Sequence, residues 1–283
     1  MSQRFTDKGR EFLAGSGDWG TNNHSVQCLT LDGTLTDTAI KAITGATNAS
    51  PIVITSASHG ASNGDIIVVR GIVGNTSANG TWKAASVATN TITLTTVNDG
   101  LNSTGNGAYS SGGCLIDLTL GDNLDDYDAA IIGTAVALTT KTQTLGVLDA
   151  DDPTFAAMTG TVHGILTYYA TGTASTSRSV YFSDGKTQVE VQADAASSAT
   201  TLWVKPLEGP IASGTAMIFS NGVTATTSGA AATDARSISV TAIAGAIAAG
   251  HTADVQTTGS LLPVTLSSGG FTLTYAATGI AKL

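Results

Sequence analysis

Isolated histidines are the first residues that could do chemistry in this chain. His24, His59, His163 and His251 lie far apart, and none has a second His, Cys or carboxylate at a metal-ligand spacing. His59 lies in a His-Gly turn, where its ring is expected to bond the backbone. The sequence also lacks a Gly-rich phosphate loop, a Ser-His-Asp elbow and a paired glutamate system. It therefore predicts no catalytic residue, no cofactor and no metal.

Two groups of aspartates are the other residues that could hold an ion. The first group is Asp122, Asp125, Asp126 and Asp128, and the second is Asp149, Asp151 and Asp152. The first group lacks the Gly and the distal Glu of an EF-hand loop, so it does not match a calcium site. For both groups we expect a solvated turn, or carboxylates that accept hydrogen bonds from backbone N–H groups.

The cysteines and tryptophans are expected to serve structure and contacts. Cys28 and Cys114 could pair once or could be two reduced, buried thiols, and the sequence leaves both open. Trp82 is predicted to be a core residue, because it follows an Asn-Gly turn on a strand where a large ring can close a small barrel. Trp19 and Trp203 are candidate interface anchors, and a sugar platform is a second interpretation of Trp203.

The composition limits the function classes. Only 12% of the residues are charged, 42% are apolar, and the net charge is −9. An acidic chain without a basic stripe repels phosphate backbones, so no nucleic-acid partner is expected. The longest apolar stretches, 129–138 and 242–249, are too short to span a bilayer, and the N-terminus carries charges where a signal peptide is apolar. We therefore expect no membrane partner and a protein made in a cytosol.

Strand patterns dominate the chain, and residues 105–120 show the clearest one. After a turn at Gly112 and Gly113, side chains from Cys114 onward alternate between two faces, which predicts a half-buried strand. Residues 6–14 give the best helix signal, with Thr6 as the cap. The predicted fold class is all-β and multi-domain, with small β-barrel or sandwich modules and a short N-terminal helix.

The spacing of turns and strands divides the chain into three predicted units. Residues 46–100, with short strands between Gly and Asn turns, are predicted to form a small barrel or sandwich. This module would be inserted in a discontinuous β domain of residues 1–45 and 101–187. Residues 188–283 are predicted to form a C-terminal β domain.

The C-terminal unit contains a tandem repeat. Its two copies lie about 36 residues apart, so that Leu202 corresponds to Ile238 and Gly214 to Gly250. A repeat this close predicts two copies of one supersecondary unit that pack together. The segments 261–266 and 271–275 are predicted to follow the repeats as a closing hairpin.

The predicted insert carries a series of short motifs. They are His59-Gly60, Gly64-Asp65, Gly74-Asn75-Thr76, Asn79-Gly80-Thr81-Trp82 and Asn90-Thr91-Ile92-Thr93-Leu94. In this order they resemble a module common in structural proteins of tailed bacteriophages. The resemblance implies a β module and does not imply a reaction.

The flanks of the insert carry a second set of motifs, in residues 6–19, 107–120 and 148–155. These segments, TDKGREFLAGSGDW, GAYSSGGCLIDLTL and LDADDPTF, resemble a second tailed-phage family. Its members are usually small proteins encoded among virion genes, and they often lack the inserted module. The chain departs from the family pattern at residues 108–111.

Together these observations predict a structural component of a tailed-phage virion. Within that class we expect a capsid accessory protein, for decoration or cement, that assembles in the host bacterial cytoplasm. Its expected partners are the major capsid protein or tail proteins and further copies of itself, with a trimer as the favoured form. The alternatives are a tail or fibre component and a carbohydrate-binding adhesin. No enzymatic activity is predicted.

Overall fold

Strands in antiparallel sheets are the dominant regular structure, which confirms the predicted all-β fold class. A computed structural model of the chain describes residues 4–6, 9, 11–13, 19–31, 39–144, 147–258, 260, 262–274 and 281–282. Of the predicted helix over residues 6–14, residues 9 and 11–13 are helical, and residues 7–8, 10 and 14 lie outside the described residues. Thr6 Oγ1 accepts a hydrogen bond from Gly9 N–H at 2.9 Å, as expected of a helix cap.

The elements are short and are numbered in chain order. The first part of the chain contains β1 (Arg4–Phe5), β2 (His24–Leu29), β3 (Ile40–Ala42), β4 (Gly45–Ala46), β5 (Val53–Thr55), β6 (Ile66–Arg70), the 3-10 helix η1 (Thr76–Ala78), β7 (Gly80–Ala88), β8 (Thr91–Thr95), β9 (Cys114–Asp117), η2 (Leu124–Ala130), β10 (Ile131–Ala137), β11 (Thr142–Thr144) and β12 (Val147–Asp149). The second part contains β13 (Thr154–Phe155), β14 (Thr159–Val162), β15 (Gly164–Tyr169), η3 (Ala174–Thr176), β16 (Ser179–Ser183), β17 (Lys186–Glu190), β18 (Thr201–Trp203), β19 (Ala216–Ile218), β20 (Thr224–Thr226), β21 (Ser237–Ser239), β22 (Thr252–Gln256), β23 (Val264–Ser267), β24 (Phe271–Thr272) and β25 (Ala281–Lys282).

Strands β3 to β9 form a sheet that closes on itself. Hydrogen bonding gives the order β3-β9-β6-β7-β8-β5-β4. The two outer strands are consecutive in sequence and are joined by Ile43 and Thr44, whose N–H groups bond to the carbonyls of Gly113 and Thr55. One bent segment thus pairs with β9 at one end and with β5 at the other. The sheet is therefore a barrel without a free edge.

The barrel is larger than the predicted insert of residues 46–100. The strands β3 and β9 lie outside those boundaries, and Ile43 and Leu115 share the barrel interior with Ile67 and Trp82. Closure of the sheet needs these flanking strands, so the barrel spans residues 40–117. Whether it folds separately from the rest of the chain stays a prediction.

The strand β9 is buried on both faces, as is its neighbour β6, and this corrects the half-buried strand expected from Cys114 onward. Leu115 lies in the barrel core, whereas its neighbour Ile116 packs outside the barrel with Leu29 and Phe182. The predicted alternation is present, but a second sheet covers the outer face. That sheet has the strand order β1-β16-β15-β2-β10. Its other face packs on a separate core that contains Phe12, Trp19 and Phe155, among others.

The C-terminal tail does not form the predicted hairpin. Instead β23 pairs with β14, β24 with β13 and β25 with β12. Phe271 stacks on Phe155 with ring centroids 5.1 Å apart, so the tail packs into the core of the first domain. This long-range packing outweighs local pairing around Gly269 and Gly270. The strands of the predicted unit 188–283 are therefore divided between the repeats and the first domain. Tyr275, at the end of the predicted hairpin, lies outside the described residues.

The two repeats pair with each other around an internal pseudo-twofold axis. In the antiparallel pair of β18 and β21, Leu202 lies opposite Ile238, its own counterpart in the second copy. Two isolated bridges follow the same symmetry. Ala195 pairs with Ile247, and their counterparts in the other copy, Ala231 and Ile211, pair with each other. Apolar side chains from both copies form one core. Neither copy could bury its apolar face alone, so the repeats form a single unit.

Candidate functional site

The structure does not bring the four histidines together. His59 accepts a hydrogen bond from Ala61 N–H at Nδ1 (3.1 Å) and donates from Nε2 to the Ala88 carbonyl (2.9 Å). The ring therefore bridges backbone groups, as the turn motif predicts. His251 Nδ1 lies 2.7 Å from the hydroxyl of Ser220, and burial lowers the pKa of His251. Because Ser220 Oγ also accepts the Thr252 N–H, this pair ties loops of the repeat unit together.

One member of each predicted aspartate group accepts hydrogen bonds from backbone or hydroxyl groups. Asp126 Oδ2 accepts the N–H of Asn123 at 2.9 Å in a capping box at the start of η2. Asp151 Oδ2 accepts the hydroxyl of Thr139 at 3.0 Å. Across the described part of the chain, no three His, Cys, Asp or Glu residues lie close enough to hold a metal ion. The arrangement of these aspartates is that of backbone and hydroxyl acceptors.

Asp117 is a buried carboxylate that the sequence did not single out for chemistry. Its Oδ1 accepts the N–H of Thr119 at 2.9 Å, whereas its Oδ2 is buried without a hydrogen-bond partner. Burial raises the pKa of Asp117, and the hydrogen bonds from Thr119 only partly oppose this. The site of Asp117 therefore favours the protonated form more than water does.

The cysteines lie in different cores. Cys28 packs in the core that contains Trp19, and Cys114 packs between the barrel and the second sheet. Both are buried and they are not joined by a disulfide. Burial raises the pKa of the Cys28 thiol to about 12, so this thiol stays protonated at neutral pH. Of the two alternatives left open by the sequence, the structure shows two buried thiols.

The three tryptophans have different environments. Trp82 is 2% exposed in the barrel core, and its Nε1 donates to the Ala78 carbonyl at 2.8 Å. Trp19 is 1% exposed and donates to the Asp149 carbonyl at 2.8 Å. The predicted interface role of Trp19 is therefore corrected, because its ring is packed inside the chain. Trp203 is 60% exposed.

A buried ionic network joins the barrel to the repeat unit. Arg70, at the end of β6, donates from Nε to Asp184 Oδ2 at 2.6 Å and from Nη2 to Asp254 Oδ2 at 2.9 Å. Thr81 of the barrel and Gln188 of β17 also donate to Asp254. The side chains are nearly inaccessible, at 9% for Arg70 and 2% for each aspartate. Sequence patterns gave no signal for this network, because its members are far apart in the chain.

The two aspartates of the network stabilise the positive charge of Arg70. Burial by itself lowers the pKa of Arg70, but the charges of Asp184 and Asp254 and their hydrogen bonds outweigh it and hold the pKa above its ordinary value. A second polar contact lies nearby, where Asn98 donates to Glu190, which also pairs with Lys205. The barrel is thus attached to the repeat unit through polar groups whose hydrogen-bond geometry fixes their relative position.

A face with mostly neutral side chains surrounds Trp203 on the outside of the repeat unit. Trp203 lies opposite Ser237 in the pair of β18 and β21, and its carbonyl accepts the N–H of Gln192 from the neighbouring segment. The exposed side chains on this face are Gln192, Thr201, Trp203, Ser228, Ser237 and Ser239. Among the described residues, Val73 and Trp203 are the large apolar side chains that are exposed. This face is the candidate binding surface of the chain.

A comparison with protein-family models and with curated proteins finds no match for this chain. The resemblance to tailed-phage families therefore stays a prediction from the sequence motifs. No helix in the described part of the chain is both long enough and apolar enough to cross a membrane.

Proposed function

We propose that this chain is a structural protein of a tailed-phage virion and that it acts as a capsid accessory, for decoration or cement. Its work would be binding rather than catalysis, with the major capsid protein and further copies of itself, as in a trimer, for partners. A tail or fibre component is the alternative within the same class. The phage-like motifs of the barrel and its flanks carry the assignment to this class.

The observation that supports a cementing role is the way in which the β units are tied together. The barrel is closed by strands from the surrounding domain. The repeat unit is fixed to the barrel by the buried Arg70 network, and the C-terminal tail returns to the first domain. A cement protein has to hold neighbouring subunits at fixed distances, and units joined by strand pairing and by a buried ionic network suit that task.

The composition supports the same role. Because only 12% of the residues are charged, much of the surface can enter a close contact without burying an ion. A protein that binds the assembled particle, but not its separate subunits, stabilises the particle by mass action. Contacts of about 1,000 Å² or more in total would be expected of such an interface.

Purified particles of the phage that encodes the chain provide the test. Mass spectrometry should detect the chain at a stoichiometry that matches sites on the head lattice, and a particle map should show it on the capsid. Particles from a gene deletion should release their DNA at a lower temperature, and added purified chain should restore the wild-type temperature. Absence of the chain from the particles would refute a virion role, and a location on the tail would favour the alternative.

A further inference from the structure

The face around Trp203 is built as a rigid platform. Its backbone is held on both sides, because β18 pairs with β21 and the Trp203 carbonyl accepts the Gln192 N–H at 2.8 Å. The neighbouring residues Leu202 and Val204 are fully buried in the repeat core. The indole is thus carried on a fixed ribbon and projects outward, so little conformational freedom would be lost on binding.

The repeat shows that the fold does not require this tryptophan. The counterpart of Trp203 in the second copy is Ser239, which occupies the pseudo-equivalent place in the strand pair. The backbone bond from Gln192 to Trp203 likewise recurs as a bond from Ser228 to Ser239, at 2.9 Å. Serine therefore satisfies the same local structure. The fold therefore does not require the aromatic ring at position 203, which stays 60% exposed and is accessible to a ligand outside the chain.

The chemistry of the face indicates what that ligand is. Around the indole lie the hydroxyls of Thr201, Ser237 and Ser239 and the amide of Gln192, which can both donate and accept hydrogen bonds. The next residue on this side of the strand, Lys205, is paired with Glu190 at 2.5 Å. Arg236 is exposed beside the end of β21. The face therefore offers one aromatic ring surrounded mostly by neutral hydrogen-bonding groups.

We infer that this face binds uncharged glycans, with the apolar side of one pyranose ring stacked on the Trp203 indole and its hydroxyls bonded to the surrounding hydroxyl and amide groups. A protein partner fits less well, because the core of a protein interface combines several apolar side chains and this face has one. An anionic ligand would find Arg236 at the edge and Lys205, whose charge is already paired with Glu190. Glycan binding is independent of the virion role proposed above.

Fluorescence of the intact chain tests this inference directly. Trp19 and Trp82 are 1% and 2% exposed, so acrylamide quenching reports almost entirely on Trp203. The probes are a panel of neutral oligosaccharides, including maltoheptaose, cellohexaose and chitohexaose, with a heparin-derived oligosaccharide as the anionic control. At least one neutral member is expected to protect Trp203 from quenching in a saturable manner, and the anionic control is not.

The repeat supplies matched variants, whose binding is measured by isothermal titration calorimetry. Trp203→Ser is expected to weaken binding by about tenfold or more, with the melting temperature unchanged. Moving the ring to the equivalent place, with Trp203→Ser and Ser239→Trp together, is expected to restore binding in part. If no neutral glycan protects Trp203, or if Trp203→Ser binds like the wild type, the inference is wrong. Concentration-dependent protection of Trp203 without sugar, with dimers in light scattering, would also overturn it and assign the face to a second copy.

Discussion

Replacing Arg70 with methionine tests how the barrel and the repeat unit are held together. The substitution keeps a similar apolar stem but removes the guanidinium that bonds to Asp184 and Asp254. Both aspartate side chains are only 2% exposed, so they would lie buried without their counter-charge. Thr81 and Gln188 would still donate to Asp254, but a neutral donor does not cancel its charge.

The expected magnitude follows from that uncompensated charge. Removing one partner of a buried ion pair costs about 3–5 kcal/mol, because it leaves an uncompensated charge that neutral replacements of the other partners would remove. Arg70→Met alone should therefore lower the free energy of unfolding by about 3–5 kcal/mol. The triple variant Arg70→Met, Asp184→Asn, Asp254→Asn should recover most of that loss. The exposed Arg236 provides the control, and Arg236→Met should stay within about 0.5 kcal/mol of the wild type.

Urea unfolding of the full chain, followed by circular dichroism and by tryptophan fluorescence, is the suitable assay. The buried Trp82 and Trp19 report on the barrel and the first domain, whereas circular dichroism reports on all strands, so loss of the connection should also separate the fluorescence and dichroism transitions. A loss under about 1 kcal/mol for Arg70→Met would refute the reasoning. A triple variant as unstable as the single one would refute it as well, because the cost would then not come from unpaired carboxylates.

Three further predictions concern the barrel and the aspartates. Trp82→Ala should cost roughly 3–5 kcal/mol in urea unfolding, because the ring fills the barrel core, and a loss under about 1 kcal/mol would contradict this. Burial raises the pKa of Asp117, so its carboxyl group binds a proton more readily in the folded chain than in the unfolded chain. This proton binding stabilises the fold at low pH, and the stabilisation is lost as pH rises through the raised pKa. Asp117→Asn should flatten that decline in a series of melts from acid to neutral pH, and an unchanged slope would assign the decline to other groups. EDTA should leave the melting temperature unchanged, and a shift of several degrees would show that a metal is bound.

Local patterns in the sequence predicted many of the strands and turns of the fold. Alternation after Gly113 and turns such as Asn79-Gly80 indicated strands, and the 36-residue offset indicated two copies that pack together. Thr6 as a helix cap and His59 as a turn residue were also readable from short motifs. These features depend on residues within a few positions of each other, or on direct repetition, so the chain itself displays them.

Tertiary structure decided which strands meet and which side chains are left outside. Ile43 and Thr44 close the barrel by bonding to Gly113 and Thr55. The C-terminal tail does not form the expected hairpin, and its Phe271 stacks on Phe155 instead. Arg70 meets Asp184 and Asp254 only because the barrel and the repeats pack together. Which distant segments pair, and which side chains they bury, depends on how all the apolar surfaces of the chain pack together. A local sequence pattern does not contain that information. For the same reason the sequence named both Trp19 and Trp203 as interface candidates, and only the packed chain shows that one ring is enclosed and the other exposed.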